Sequence, residues 1–199
     1  MTIVLLVEGA TETALRERLK RFLDQRAAAE GRPRVALRSK DIMTLNPARL
    51  CRRVQLELRD STVRAVVGLI DVYPRFRSAQ EAKQWLRRAV GDEPRFHAHA
   101  AQYDVEAWLL PYWDAICQRV GVHRARPGPH PEEVNLEKPP SRHLEALYAA
   151  AKPPRKYVKA IEMAAILCHQ DLTVAAGQCP ELKSLLNTLL GLGGLTLLP

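Results

Sequence analysis

Five apolar residues in a row, Ile3–Val7, stop abruptly at Glu8-Gly9 and give way to a long stretch of helical period; nothing else in the chain restricts its fold as strongly. An unbroken apolar run of strand length marks a strand covered on both faces, as in a parallel sheet. Beyond it Leu15, Leu19, Phe22 and Leu23 recur among charges at helical spacing, from Thr11 to about Ala29, and Gly31-Arg32-Pro33 ends the helix. The unit then repeats. Arg34–Arg38 reads as a second strand, and Leu50, Val54 and Leu58 mark a second helix with an arginine-rich outer face. Val63–Ile70 is a third strand ending at Asp71, Ser78–Val90 a third helix, Phe96–Gln102 a fourth strand and Val105–Val120 a fourth helix.

Alternation of this kind predicts the α/β class: a mainly parallel sheet with helices on both faces, joined by right-handed crossovers, over residues 1–120. Residues 121–142 hold five prolines and two glycines with almost no apolar periodicity, so they read as an exposed loop or linker. From 143 to 199 the pattern is helical, with His143–Ala151, Lys156–Cys168 and Pro180–Leu190 as expected helices packed on the first domain. Gly191-Leu192-Gly193-Gly194 follows no strand and reads as a flexible tail, not a phosphate loop.

With 47% hydrophobic and 26% charged residues in 199, disorder throughout is excluded and one substantial core is expected. Glu8 breaks the N-terminal apolar run and no basic segment precedes it, unlike a signal peptide. No window reaches the roughly 18 uncharged apolar residues of a membrane span. Cys51, Cys117, Cys168 and Cys179 are dispersed without a C-x-x-C, so free thiols in a reducing cytoplasm are expected. The net charge of +8 arises entirely within residues 1–100, where 20 Lys and Arg face 12 Asp and Glu, and arginine outnumbers lysine 22 to 8. Guanidinium suits phosphate, so a nucleic-acid partner is one reading. A solvated surface is the other.

Ligands of open parallel sheets bind beyond the carboxyl ends of the strands, so acids placed there carry the functional argument. Glu8 follows the first strand, Asp71 the third, and Glu106 comes shortly after the fourth. Carboxylates gathered in this way suit a hard divalent cation, Mg²⁺ or Mn²⁺, whose shell water and phosphate complete. Each acid could instead cap a helix N-terminus. Arg75 and Arg77, just past Asp71, are the first candidates for phosphate contacts. Tyr73, Phe76 and Trp108 offer faces on which bases could stack, although core burial is the plainer role for Trp108. His97 and His99 point to one face of a strand without further ligands nearby, and read as structural.

The segment Leu5-Leu6-Val7-Glu8-Gly9-Ala10-Thr11-Glu12 resembles the opening motif of Toprim domains, the α/β metal-binding module of topoisomerases, primases and overcoming-lysogenization-defect nucleases. Later segments are similar to an uncharacterised Toprim-related family of unknown function. They are LIDVYPRF (69–76), YDVEAWLL (103–110), Lys138-Pro139, Tyr157-Val158-Lys159 and Gln178-Cys179-Pro180-Glu181-Leu182, so the resemblance covers nearly the whole chain. It implies that Glu8 acts with metal as general acid or base, and that Asp71 is the first aspartate of the D-x-D motif that holds Mg²⁺. Tyr73 stands where the second aspartate belongs, leaving Glu106 or Glu12 to supply the missing oxygen. It adds Lys156 and Lys159 as further phosphate contacts. A Mg²⁺-dependent nuclease or nuclease subunit is thereby implied, with a partner ATPase and a place in defence against mobile DNA. The alternative is a non-catalytic module that binds nucleic acid or an ATPase through a degenerate metal site.

Overall fold

The computed structural model describes residues 1–42, 46–134 and 138–199, and at 10–13 the backbone only. Strand β1 (Thr2–Val7) leads into α1 (Ala10–Ala29), β2 (Ala36–Asp41), α2 (Pro47–Leu58), β3 (Val63–Asp71), α3 (Ala79–Val90) and β4 (Phe96–Ala101). The four strands form one sheet, all parallel, in the order β2-β1-β3-β4. The α/β class with a parallel sheet is therefore correct. Ile3, Leu5 and Val7 of β1 enter one core, and Val4 and Leu6 the other, each residue being fully buried. That two-sided burial is why β1 is uniformly apolar.

The core on one face of the sheet takes Leu15, Leu19 and Leu23 from α1, and the other takes Leu50 and Val54 from α2 with Leu86 from α3. A 3-10 helical segment, Val105–Tyr112, follows β4 and continues into α4 (Trp113–Val120). Next come α5 (Pro140–Ala149), α6 (Lys159–Leu167), α7 (Leu172–Ala176) and α8 (Pro180–Gly193), whose apolar residues join the α1-side core. The C-terminal helices are thus built into the same core as the sheet. His99 of β4, 5% exposed, faces α8 with its Nε2 3.0 Å from the Thr188 hydroxyl.

Several boundaries differ from the sequence expectations. The second strand runs over 36–41 instead of 34–38, because its register is set by β1, from Thr2 opposite Ala36 to Val7 opposite Asp41. The expected helix 105–120 is half 3-10, and Pro111 within it has no N–H for an α-helical ladder. Helix α5 starts three residues before the expected position and α6 three residues after it, while α7 is too short to show a period. Residues 121–142 are not simply an exposed linker. Pro131 and Val134 are buried, Glu132 accepts the Trp108 indole N–H at 2.9 Å, and the Arg124 carbonyl accepts the Trp113 indole N–H at 2.7 Å. Two core indoles needed acceptors, and this polar segment supplies them. Nor is the tail loose, since Leu195 is buried, Glu30 accepts the Thr196 N–H and Asn187 brackets Leu198. Among the described residues no helix is long and apolar enough to cross a membrane.

Candidate functional site

From β1 the chain crosses through α1 to β2, on one side of β1; from β3 it crosses through α3, on the opposite face of the sheet, to β4. The carboxyl ends of β1 and β3 therefore flank the point where the connections diverge, the natural crevice of an open parallel sheet. Glu8 is the residue after β1 and Asp71 the last of β3, while Val7 pairs with Leu69 in register. Topology alone brings these two acids to one rim.

The turn after β3 folds back on itself, with the Arg75 and Phe76 N–H groups both donating to the Val72 carbonyl. This carries the Arg75 guanidinium onto Glu8, where it donates to Oε1. Glu8 Oε2 is buried with no hydrogen-bond partner among the described residues. Arg77 is exposed, and its backbone N–H donates to the Glu81 carboxylate while the Ser78 hydroxyl accepts the Glu81 N–H, a reciprocal cap on α3. Of the two predicted arginines only Arg75 reaches an acid of the rim.

Beyond β4, Tyr103 takes a left-handed backbone with φ 69° and is 8% exposed, a conformation that costs about 1–3 kcal/mol in a bulky residue. It turns the chain so that Asp71 Oδ1 accepts the Val105 N–H at 3.0 Å. Asp71 thus caps the 3-10 segment and docks the residues on either side of Val105 against the rim. Those residues are Asp104 and Glu106, 3% and 0% exposed. Asp104 Oδ2 accepts the Ser141 N–H at 3.2 Å, and Lys159 Nζ lies 3.3 Å from Glu106 Oε1, an ion pair without the alignment of a directed hydrogen bond.

Burial, and then the charge of Asp104, pushes the Glu106 carboxyl up to about 7 against the pull of Lys159. Burial also raises Asp104. Lys159 is disfavoured by its own burial, yet the carboxylates of Glu106, Asp104 and Asp71 together outweigh that and hold its pKa above the ordinary value. Tyr157, 6% exposed, has a hydroxyl without a partner among the described residues; burial first and the Glu106 charge second raise its pKa.

Among the described residues no three His, Cys, Asp or Glu side chains are grouped to hold a metal. Glu106 is separated from the rim pair in character: it is enclosed and served by a lysine. The Glu12 side chain lies outside the described residues. A Mg²⁺ site needs only one or two carboxylates when water and phosphate fill the remaining positions. Glu8 and Asp71 fit that requirement, with hard oxygen donors at neighbouring strand ends and one orphaned oxygen on Glu8.

The remaining candidates separate cleanly. Trp108 is core, 2% exposed; Tyr73 is 40% exposed; Phe76 packs on Trp85 with ring centroids 6.0 Å apart. Lys156 is exposed. His97 is half-buried, and all four cysteines are free thiols, two of them buried. Sequence reasoning missed Asp104 and Tyr157. The signal for Asp104 was present, since it lies two residues before Glu106 in YDVE, but only the φ at Tyr103 explains why both acids turn inward.

No curated protein and no solved structure matches the chain. A family model described as a domain of unknown function (DUF4276) does match, over residues 7–190. That span includes Glu8, Asp71, Asp104, Glu106 and Lys159 together with all four strand ends, so the chain belongs to the DUF4276 family.

Proposed function

We propose that this chain is a Toprim-like, Mg²⁺-dependent protein that cleaves nucleic acid as a nuclease or nuclease subunit. We further propose that it works in the cytoplasm beside a partner ATPase, in defence against mobile DNA. The observation that carries the reading is the placement of Glu8 and Asp71 at neighbouring carboxyl ends where the crossovers diverge, with Arg75 already seated on Glu8.

Glu8 and Asp71 would hold the ion. A bound Mg²⁺ would polarise the phosphodiester and lower the pKa of water in its shell. The protein's own groups do the rest. Arg75, with its side chain 45% exposed, exchanges the Glu8 carboxylate for a phosphate oxygen, a partner its fork suits equally well. That exchange releases Glu8 to take a proton or a cation. Asp71 keeps one oxygen on the Val105 N–H, which fixes its orientation during the reaction. Arg77 and Lys156, both exposed, extend the positive surface along the backbone.

Cleavage of plasmid and of single-stranded DNA and RNA by the wild type and by Glu8→Gln, with and without Mn²⁺, tests the reading. Metal-dependent cleavage that disappears in Glu8→Gln, with an unchanged circular dichroism spectrum, is the expected result. Cleavage that persists in Glu8→Gln would overturn it. Binding of oligonucleotides with no cleavage under any condition would leave the non-catalytic module as the function.

A further inference from the structure

We propose that Lys159 stands in for a second metal ion: its ammonium, paired with Glu106 beside Asp104, is the fixed second positive charge of the site. A single metal, held by Glu8 and Asp71, is the first. The inference rests on the metal reading above and names the cation that completes it.

Phosphodiester cleavage by two metals divides the charge of the transition state between two cations bridged by several carboxylates. This chain lacks the carboxylate that would be third at the rim. Tyr73 occupies that position, 40% exposed, and its backbone N–H donates to the Tyr103 carbonyl at 2.6 Å. The acids that could replace it lie deeper. Asp104 and Glu106 are nine-tenths buried or more, and three of their four oxygens, Asp104 Oδ1 with Glu106 Oε1 and Oε2, make no hydrogen bond among the described residues.

Two enclosed carboxylates are costly unless a proton or a cation offsets their charge. The cation at 3.3 Å from Glu106 is the Lys159 ammonium. The lysine is not enclosed as its partners are. Its side chain is 45% exposed against 0% for Glu106, so the lysine stands between the enclosed acids and the surface. The Val105 N–H, between the two inner acids, donates to Asp71 Oδ1, which places the inner acids beside the rim.

A lysine suits this place physically. An ammonium is a compact point charge with three donors, so it can stay paired with a carboxylate and turn a donor to a phosphate oxygen. Asp104 and Glu106 act as positioning residues. Their negative charge favours the lysine's charged form.

Two measurements test this. The first is Mn²⁺ binding by calorimetry to the wild type, Asp104→Asn, Glu106→Gln and Glu8→Gln. One ion is expected in the first three, with affinities within about threefold of each other, and none in Glu8→Gln. Two ions in the wild type, or loss of the ion in Asp104→Asn or Glu106→Gln, overturns the proposal. No ion in the wild type overturns the metal reading itself, and this inference with it.

The second measurement uses no metal. Labelled oligothymidylate binding to Lys159→Gln and wild type is followed over a salt series in EDTA. One lost phosphate contact should lower the slope of log affinity against log salt by about 0.7. An unchanged slope overturns Lys159 as the phosphate-facing cation, whatever the metal result. If Lys159→Gln does not fold, wild-type Lys159 acylation read by peptide mass spectrometry replaces it. Protection by the oligonucleotide is expected, and equal labelling overturns the proposal.

Discussion

Glu106→Gln should make the protein more stable at alkaline pH and leave it unchanged in acid. The carboxyl is fully buried, and burial with the Asp104 charge carries it from an ordinary 4.5 up to about 7. Ionising it in the folded chain therefore costs about 3 kcal/mol more than in the unfolded chain, with the Lys159 attraction already counted because it opposes the rise. The sign follows from proton counts. Between pH 4.5 and 7 the folded state holds the proton that the unfolded state has released, so stability declines as pH rises through that window. Glutamine keeps the shape and cannot ionise. At pH 8 the variant should unfold roughly 6–12 °C above the wild type, given 2–4 °C per kcal/mol for a chain of this size. At pH 4.5 the two should coincide. Thermal unfolding by circular dichroism at several pH values gives both curves, and their difference reads Glu106 together with the Asp104 and Lys159 charges that interact with it. Parallel curves would refute the reasoning, and a variant less stable at pH 8 would mean that the Lys159 pair outweighs the burial of Glu106.

The buried His99 has the opposite sign: burial, then the Lys83 charge, depresses it from 6.5 to about 3. Its neutral form supports the fold above pH 6.5, and about 4–5 kcal/mol of that support is lost as pH falls toward 3, so His99→Gln should flatten the acid limb of a urea-unfolding series. Replacing Arg75 and Arg77 together by alanine should lower the salt slope of duplex binding by about 2, at roughly 0.9 for each phosphate contact, and an unchanged slope would remove this loop from the interface. A Cβ on Gly68 would stand 3.0 Å from Phe96 Cζ and 3.2 Å from Cε2, across the β3–β4 pair. Gly68→Ala should therefore cost about 1–3 kcal/mol, read as a lower urea midpoint, and Phe96→Leu in the same chain should recover part of it.

The architecture was legible because it depends on local period. Ile3–Val7 has the length, the β-branched content and the Glu8-Gly9 stop of a two-face-buried strand, and Leu50, Val54 and Leu58 share one face of a helix. Glu8 and Asp71 were legible for the same reason, since each is the first acid after an apolar run and strand ends in a parallel sheet share one edge. The segment after residue 120 was legible as a loop but its anchoring was not, because the features that order it are two indole N–H groups elsewhere in the chain, and a proline-rich segment carries no period of its own.

Amino-acid order thus determined the strands, the helices and which acids stand at the rim, all consequences of neighbours within a turn or two. Tertiary structure decided the surroundings of those acids. Glu106 lies in YDVE as one more rim carboxylate by sequence, but the left-handed Tyr103, the Asp71 cap on Val105 and α6 folding back from more than fifty residues downstream enclose it beside Lys159. Whether a carboxylate meets water, a metal or a lysine depends on the dielectric and the charges around it, and those are set by groups distant in sequence that only packing brings together.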